Sequence, residues 1–446
     1  METKLISPGT AQVSHEKARS DAIYHKVTWR LIPFLFLCYL LSFLDRINIG
    51  YAQLQMRQDL DLSDAAYGLG AGIFFVGYLF FEVPSNLLLE RIGARKTIAR
   101  IMFLWGFASA AMAFVQTPAH FYAVRFLLGA FEAGFFPGVI LYLTYWYPAA
   151  RRAAVIAILL TTLIVAGLIA GPLSAAIMTG LHNSNGFRGW QWMFLLEGLP
   201  SPLLAVVAFF YLTDKPSEAT WLTDDEKRLI AIELENDKKL RDGTGHTGWR
   251  EILRSKNVIV LCVIYFCVLA GGYTLAFWLP LILRGVGVSD IMHIGLYALI
   301  PNSCGAVAMV WWGRRSDRKL ERRWHFALGA FVAASGFLSL TLSQGSLPFS
   351  LAALCIAYIG MSAISPLFWS VPTGILSRTS AAVGIALISS LGQFGAVFAP
   401  WMLGFVKVRT GEIKFGLYVI AALLILGGLL MIIAIPAKAI REQRVS

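Results

Sequence analysis

The sequence has few charged residues for its length. Asp, Glu, Lys and Arg make up 14% of its 446 residues, whereas soluble globular proteins carry about 25%. So few charges cannot cover a water-facing surface of this size. The shortage excludes an ordinary soluble protein.

Cysteine and histidine are absent from the positions where chemistry would need them. The cysteines lie inside apolar runs, where a thiol behaves as a small apolar group. No histidine lies in the middle of such a run. We therefore expect no disulfide, no metal site and no cofactor. Residues 1–28 are polar and contain no apolar core of the kind a cleaved signal peptide needs, so we expect the first apolar run to be retained.

Long apolar runs dominate what is present. Apolar residues make up 57% of the chain, and runs of about 20 residues are long enough to cross a bilayer as helices. We predict an all-α membrane protein with twelve transmembrane helices, at 30–53, 67–89, 97–115, 120–147, 153–178, 190–212, 257–283, 291–312, 324–343, 348–370, 381–406 and 415–436.

One central stretch interrupts the series. Residues 213–256 are rich in Lys, Asp and Glu and cannot cross a membrane. Thr223 and Glu226 have the spacing of a capping box, which predicts a surface helix after Thr223. The predicted organisation is an N-terminal tail (1–29), a six-helix bundle (30–212), a linker (213–256), a second six-helix bundle (257–436) and a C-terminal tail (437–446).

The basic residues predict the orientation. The chain carries 38 Lys and Arg and a net charge of +12. They lie in short loops, a pattern that reports membrane topology rather than nucleic-acid binding. With the N-terminus inside, the outer loops hold only Arg57, Arg188, Arg284, Lys407, Arg409 and Lys414. Both tails and the linker are therefore predicted to be cytoplasmic.

An internal repeat links the two halves. The loop after the second run reads ERIGARK at 90–96, and the loop after the eighth reads GRRSDRK at 313–319. Both resemble the signature loop of the major facilitator superfamily, G-x-x-x-D-R-x-G-R-R. Gly313, Asp317 and Arg318 match it, whereas Glu90 replaces its Asp in the first copy. Parallel repeats of this kind place a substrate cavity between the halves.

Further motifs resemble one branch of that superfamily, the anion:cation symporter family. They are FLDRINI at 43–49, RFLLG at 125–129 with Glu132, FPG at 136–138, and YW at 145–146 with Pro148. The family includes galactonate, tartrate, phthalate and hydroxyphenylacetate permeases and vesicular glutamate carriers. The resemblance implies functional roles for an acid–arginine pair (Asp45, Arg46), an arginine and acid (Arg125, Glu132), Tyr78 and Gln393.

The deep charges support the same interpretation on physical grounds. A charge at bilayer depth costs several kcal/mol and is kept mainly where it is paired or functional. Asp45, Arg46, Arg125 and Glu132 sum to zero charge, so we expect them to compensate one another. We assign substrate carboxylate binding to Arg46 because arginine binds carboxylates through paired hydrogen bonds. We expect Asp45 and Glu132 to carry protons and Arg125 to switch partners. The alternative is a structural ion-pair network.

Neutral candidates complete the predicted site. Tyr78 is expected to donate to substrate, with interhelical packing as its alternative. Trp278 and Trp369 are expected to line the site, and the alternative is that they belong to the belt of aromatic residues at the membrane–water interface. The second half contributes Tyr273, Trp278, Trp369, Ser389, Ser390 and Gln393. We expect Glu90, Arg91, Asp317 and Arg318 to form gating salt bridges on the cytoplasmic side.

Together these patterns predict a proton-coupled symporter that imports a small organic carboxylate by alternating access. The carboxylate is a sugar acid, a tartrate-like acid or an aromatic acid. Its expected location is the bacterial inner membrane, and its partners are the anion, protons and the lipid bilayer. A monomer is expected, without nucleic acid. The alternatives are a proton-driven efflux antiporter and a transporter-like anion sensor. No nucleophile–base pair lies at depth, which argues against an enzyme.

Overall fold

The computed structural model describes residues 8–242, 255–319, 321–343, 345–375 and 381–435. Twelve helices in it are long and apolar enough to span a membrane, which confirms the predicted number. We label them α1 to α12 in chain order. They are Lys17–Asp59, Asp64–Ile92, Ala94–Phe114, Pro118–Thr144, Ala149–Gly180, Gly189–Tyr211, Lys256–Gly285, Ile291–Ser316, Arg323–Thr341, Leu347–Trp369, Gly384–Thr410 and Lys414–Ile433.

The twelve helices form two six-helix bundles, α1–α6 and α7–α12, whose internal packing repeats. In the first bundle α2 packs on α4, α3 on α6 and α1 on α5. The same pairs recur six helices later as α8–α10, α9–α12 and α7–α11. The repeat that the two signature loops predict is therefore present in the helix packing. The exact residue boundaries of the two bundles stay a prediction.

The capping box in the linker is confirmed. The backbone N–H of Thr223 donates to Glu226 Oε2 at 2.8 Å, and the Glu226 N–H donates back to Thr223 Oγ1 at 3.3 Å. The linker helix Asp224–Asp242 follows. It packs against the N-terminal part of α1, whose helix begins at Pro8, where the sequence predicted only a tail.

Polar contacts hold the linker helix against the N-terminal part of α1. Lys26 Nζ lies 2.8 Å from Glu226 Oε2, and Ser20 Oγ donates to Glu233 Oε1 at 2.6 Å. Burial by itself raises the pKa of Glu226, but hydrogen bonds from Lys26 and Thr223 lower it below its ordinary value. We call this end of the molecule the linker face and the opposite end the distal face.

At the distal face the two bundles touch through their backbones. A Cβ on Gly68 of α2 would overlap the carbonyl oxygen of Pro400 in α11, and a Cβ on Gly404 would overlap that of Asp64. A Cβ on Gly171 of α5 would lie 2.7 Å from the carbonyl oxygen of Gly295 in α8. Small residues permit this close approach, which brings the backbones of the two bundles into contact at the distal face.

Candidate functional site

Arg46 lies at the junction of the two bundles. Its Nη2 is 2.5 Å from Glu132 Oε1 on α4, and its Nη1 donates to the Tyr273 hydroxyl on α7 at 3.3 Å. The Arg46 side chain is 11% exposed, and its Nε has no partner among the described residues. One guanidinium therefore contacts an acid of the first bundle and a phenol of the second.

Glu132 is fully buried and only half satisfied. Its Oε1 accepts from Arg46 and also from Ser42 Oγ, at 2.7 Å. Its Oε2 has no hydrogen-bond partner among the described residues. A buried carboxylate that lost Arg46 would keep only a neutral hydroxyl donor, so the ion pair with Arg46 is its main electrostatic compensation.

A helix break places Glu132. The first segment of α4 ends at Glu132, Ala133 leaves the helical region with ψ 132°, and Gly134 adopts φ +85°. Glycine is the residue that takes this left-handed conformation without steric cost. A second segment, Phe135–Thr144, then begins with Pro137 in its first turn, where proline is tolerated. The predicted span 120–147 was continuous, and Gly134 three residues before Pro137 is the sequence signal of the break.

Aromatic rings line the space around Arg46. Its guanidinium carbon lies 5.4 Å from the ring centre of Phe74 and 5.3 Å from that of Tyr78. The ring centres of Phe75 and Tyr273 lie 4.4 Å apart across the bundle junction, with the ring planes tilted by 59°. Tyr78 therefore lies beside Arg46, and its role in substrate binding stays a prediction. Phe74 and Phe75 were missed, because an aromatic residue in an apolar run carries no polar signal.

Asp45 points away from Arg46 into the first bundle. It accepts hydrogen bonds from Trp105 Nε1 at 3.1 Å, Ser109 Oγ at 2.6 Å and Ser201 Oγ at 3.3 Å. Neighbouring residues on a helix point about 100° apart, so two adjacent charges reach different surroundings. Asp45 thus joins α1 to α3 and α6, and no described cation pairs with it.

Arg125 also lacks an acidic partner among the described residues. Its Nε and Nη2 donate to the carbonyl oxygens of Gly70 and Ala71 at 3.2 and 3.3 Å, and its guanidinium lies over Phe74 at 4.9 Å. The expected mutual compensation of the four charges is therefore only half correct. Arg46 and Glu132 pair directly, whereas Asp45 and Arg125 are each held by neutral groups.

The second bundle presents its predicted residues in two places. The ring centres of Trp369 and Tyr265 lie 4.8 Å apart. The Tyr265 ring in turn packs so closely on Gly392, the neighbour of Gln393, that a Cβ there would overlap it. Ser389, Ser390 and Gln393 are half-buried on α11, and Gln393 Oε1 lacks a partner among the described residues. Trp278 is fully buried edge-on against Tyr67, in the distal contact layer, and the structure shows no contact between it and Arg46.

Polar bonds also join the bundles at the distal face, and the sequence analysis missed them. Lys407 Nζ of α11 lies 3.1 Å from Asp64 Oδ1 of α2, which also pairs with Arg57 at 2.7 Å. Gln53 Nε2 donates to the carbonyl oxygen of Phe277 at 2.6 Å. We call Gln53, Asp64, Phe277 and Lys407 the distal gate. Basic residues at the ends of predicted spans were interpreted only as markers of membrane orientation. A single sequence also contains no signal that pairs residues so far apart in the chain.

The predicted gating residues lie at the linker face, and those whose side chains are described form no salt bridge with one another. Glu90, Arg91 and Arg318 are exposed, and none forms an ion pair with another described residue. The side chain of Asp317 lies outside what the structure describes. The turn after α2 is held instead by Asp214, which accepts from the Arg95 backbone N–H at 2.8 Å. The gating roles stay a prediction.

Twelve spans in two repeated bundles, with an ion pair at their junction, are the architecture of a multi-pass membrane transporter. The comparisons agree. Residues 35–400 match the model of the Major Facilitator Superfamily, and the chain belongs to that family. A structure of the xylose transporter XylE from E. coli, in a partially occluded inward-open conformation, matches with a TM-score of 0.74 at 16% identity. The match covers 92% of this chain and 98% of that chain, and at this identity it shows the fold alone.

The names of several relatives mention a substrate or a phenotype. A putative tartrate transporter of Agrobacterium vitis is 45% identical over 411 residues, which cover 92% of this chain and 91% of that protein. A quinolone resistance transporter of Acinetobacter baumannii is 39% identical over 426 residues, which cover 94% of this chain and 96% of that protein.

Proposed function

We propose that the protein imports a small organic carboxylate together with protons by alternating access, with its linker face in the cytoplasm of a bacterium. The observation that carries this proposal is the Arg46–Glu132 pair, buried at the junction of the two bundles. The similarity to a named tartrate transporter supports an organic acid as the substrate class. The excess of Lys and Arg in the loops of the linker face supports the orientation.

The pair couples an anion to a proton through competition for one guanidinium. An incoming carboxylate takes the hydrogen bonds of Arg46, and Glu132 loses its cation. An unpaired buried charge costs about 3–5 kcal/mol, so Glu132 takes up a proton when the substrate binds. Substrate and proton thus favour each other's binding, which is the thermodynamic requirement for symport. Asp45, bonded to three neutral donors, is the second proposed proton carrier, and Arg125 is proposed to change partners in the opposite state.

The surroundings of Arg46 suit a hydroxylated acid. The Tyr78 and Tyr273 side chains flank the guanidinium from different bundles. Ser389, Ser390, Gln393 and Trp369 supply further donors and an aromatic surface on the second bundle. A substrate that contacts both Arg46 and these residues of the second bundle would draw the two bundles together. The close contacts at the distal face and the partial exposure of Arg46 fit a state that opens toward the linker face.

Reconstituted protein tests the coupling. In proteoliposomes with an imposed pH gradient, Glu132→Gln should lose proton-driven accumulation of radiolabelled tartrate while keeping tartrate exchange. Glutamine preserves the size of the side chain but cannot take up a proton. Glu197→Gln is the matched control, since Glu197 is another buried acid, bonded to Ser174 at 2.8 Å and unpaired with any described cation.

Two results would contradict the assignment. Wild-type accumulation by Glu132→Gln excludes Glu132 as the coupling acid, and equal loss in Glu197→Gln shows that any buried acid has the same effect. A preceding thermal-shift screen with sugar acids, tartrate, phthalate and hydroxyphenylacetate selects the substrate, because a ligand of the folded state raises the melting temperature.

Efflux is the second candidate, supported by the quinolone resistance relative. The two functions separate in cells that express the protein. Import predicts faster tartrate uptake and an unchanged quinolone resistance level. Raised resistance without uptake of any acid in the panel would favour efflux.

A further inference from the structure

A depression of about 750 Å³ opens where α8 approaches the linker face. Its lining comes from both bundles, with Ile164 from α5 and the remainder from α8 and its extension to Lys319. None of the residues around Arg46 lines it. The depression is therefore separate from the proposed substrate site.

One wall of the depression is apolar and exposed. Val307 lies three residues before Val310 and four residues before Trp311 on α8, so the three side chains share one helix face. Their exposed fractions are 70%, 48% and 56%. This stripe lies within α8, one of the helices long and apolar enough to span a membrane.

The same helix face becomes basic at its end. Arg314 and Arg318 continue the stripe at the next turns, and Arg315 and Lys319 stand beside them. None of these four cations forms an ion pair with another described residue. The Arg315 guanidinium lies 5.5 Å from the ring centre of Trp311, which connects the basic end to the apolar wall.

We propose that this depression binds one anionic phospholipid from the leaflet at the linker face. The acyl chains lie along Val307, Val310 and Trp311, and the phosphate lies among Arg314, Arg315 and Arg318. Basic pockets between membrane helices attract anionic headgroups in this way. The apolar stripe continuous with the cations selects a lipid over a soluble phosphate, which has nothing to place against valine and tryptophan.

The position between α5 and α8 gives the lipid contact with both bundles. A ligand that binds this arrangement stabilises it by mass action. The proposal does not depend on the identity of the transported substrate or on proton coupling. If the transport experiments fail, the lipid-binding proposal is unaffected. If the lipid-binding proposal fails, the proposed transport function is unaffected.

Native mass spectrometry of the delipidated full-length protein in detergent tests the proposal. Phosphatidylglycerol and phosphatidylcholine with identical acyl chains are added at equal concentrations. We expect the first phosphatidylglycerol to bind at least fivefold more tightly than phosphatidylcholine and to raise the melting temperature more. The double variant Arg314→Gln with Arg318→Gln should lose that preference. Val307→Ser with Val310→Ser should weaken both lipids.

The matched control is Arg91→Gln with Lys96→Gln, which removes two exposed cations from the corresponding loop of the first bundle. It should keep the wild-type preference. Equal binding of the two lipids to the wild-type protein overturns the proposal and needs no variant. If the control variant loses the preference for phosphatidylglycerol to the same extent, the effect comes from net charge alone. If glycerol phosphate displaces phosphatidylglycerol at an equal concentration, the depression binds soluble anions. Either result also overturns the proposal.

Discussion

Arg46 is oriented by two groups of different character. Glu132 holds one guanidinium nitrogen through charge, and Tyr273 accepts from the other through a neutral oxygen at 3.3 Å. The phenol belongs to the opposite bundle, so it orients Arg46 only while the bundles are in this arrangement. Its contribution should therefore appear in substrate affinity more than in folding stability.

Tyr273→Phe should weaken binding of the substrate acid about fivefold, because a typical hydrogen bond contributes about 1 kcal/mol. Isothermal titration of the purified variant measures the affinity. Tyr211→Phe is the control, since its hydroxyl bonds the backbone oxygen of Arg30 at 2.9 Å, away from Arg46. An unchanged affinity in Tyr273→Phe would show that this phenol does not position the guanidinium.

At this scale the sequence identified the important charges but not their partners. Asp45 and Arg46 are adjacent in sequence, and both were expected in one compensating network. The helix turns them toward different neighbours, Trp105 and Ser109 for the acid and Glu132 for the arginine. Arg125 bonds main-chain oxygens, which no side-chain pattern reveals. Pairing across distant helices is a tertiary property, so one sequence leaves it open.

Among the helices, α4 shows how a local break serves the site. The first segment of α4 ends at Glu132, and Gly134, two residues later, turns the chain with φ +85°. A side chain in this left-handed region costs about 1–2 kcal/mol. A Cβ there would also lie 2.7 Å from the Cβ of Ser85 on α2. The backbone and the packing thus both require glycine.

Gly134→Ala should lower the free energy of unfolding by about 2 kcal/mol or more and reduce transport, since the break sets the height of Glu132. Thermal unfolding in detergent measures the first effect, and proteoliposome flux the second. Gly180→Ala is the matched control, because a Cβ at Gly180 meets nothing within 4 Å and its φ is not positive. Equal melting temperatures for the two variants would contradict the argument.

Helix existence was predictable, whereas helix interruption was not. Average hydropathy marks a span because about 20 apolar residues must cross the bilayer. The same averaging passes over Gly134 in α4 and over Leu199 in α6, where Pro200 starts a new segment. The linker helix was predicted from Thr223 and Glu226 because a capping box is a local signal within four residues. Local signals and bulk hydropathy are readable, whereas the break in α4 is marked in the sequence only by the spacing of Gly134 and Pro137.

For the whole molecule, the present state depends on contacts between bundles at the distal face. Backbone approach at Gly68 and Gly404 supplies shape complementarity, and the distal gate adds polar bonds. Alternating access requires these contacts to break when the opposite face closes. The bonds must therefore be weak enough to exchange, and a partly exposed ion pair worth about 0–1 kcal/mol meets that requirement.

Lys407→Gln removes the one charged link that the structure describes between the bundles in this gate. Losing up to about 1 kcal/mol should raise the population that is open at the distal face by up to about fivefold. Nitroxide labels at Asp61→Cys and Arg409→Cys, in a background without native cysteines, report that population by double electron–electron resonance as a longer distance. Glu412→Gln is the control, because Glu412 pairs with Lys414 inside one bundle. Identical distance distributions for Lys407→Gln and the parent would show that the distal face is held by backbone packing alone, whereas a shift also in Glu412→Gln would assign the effect to surface charge.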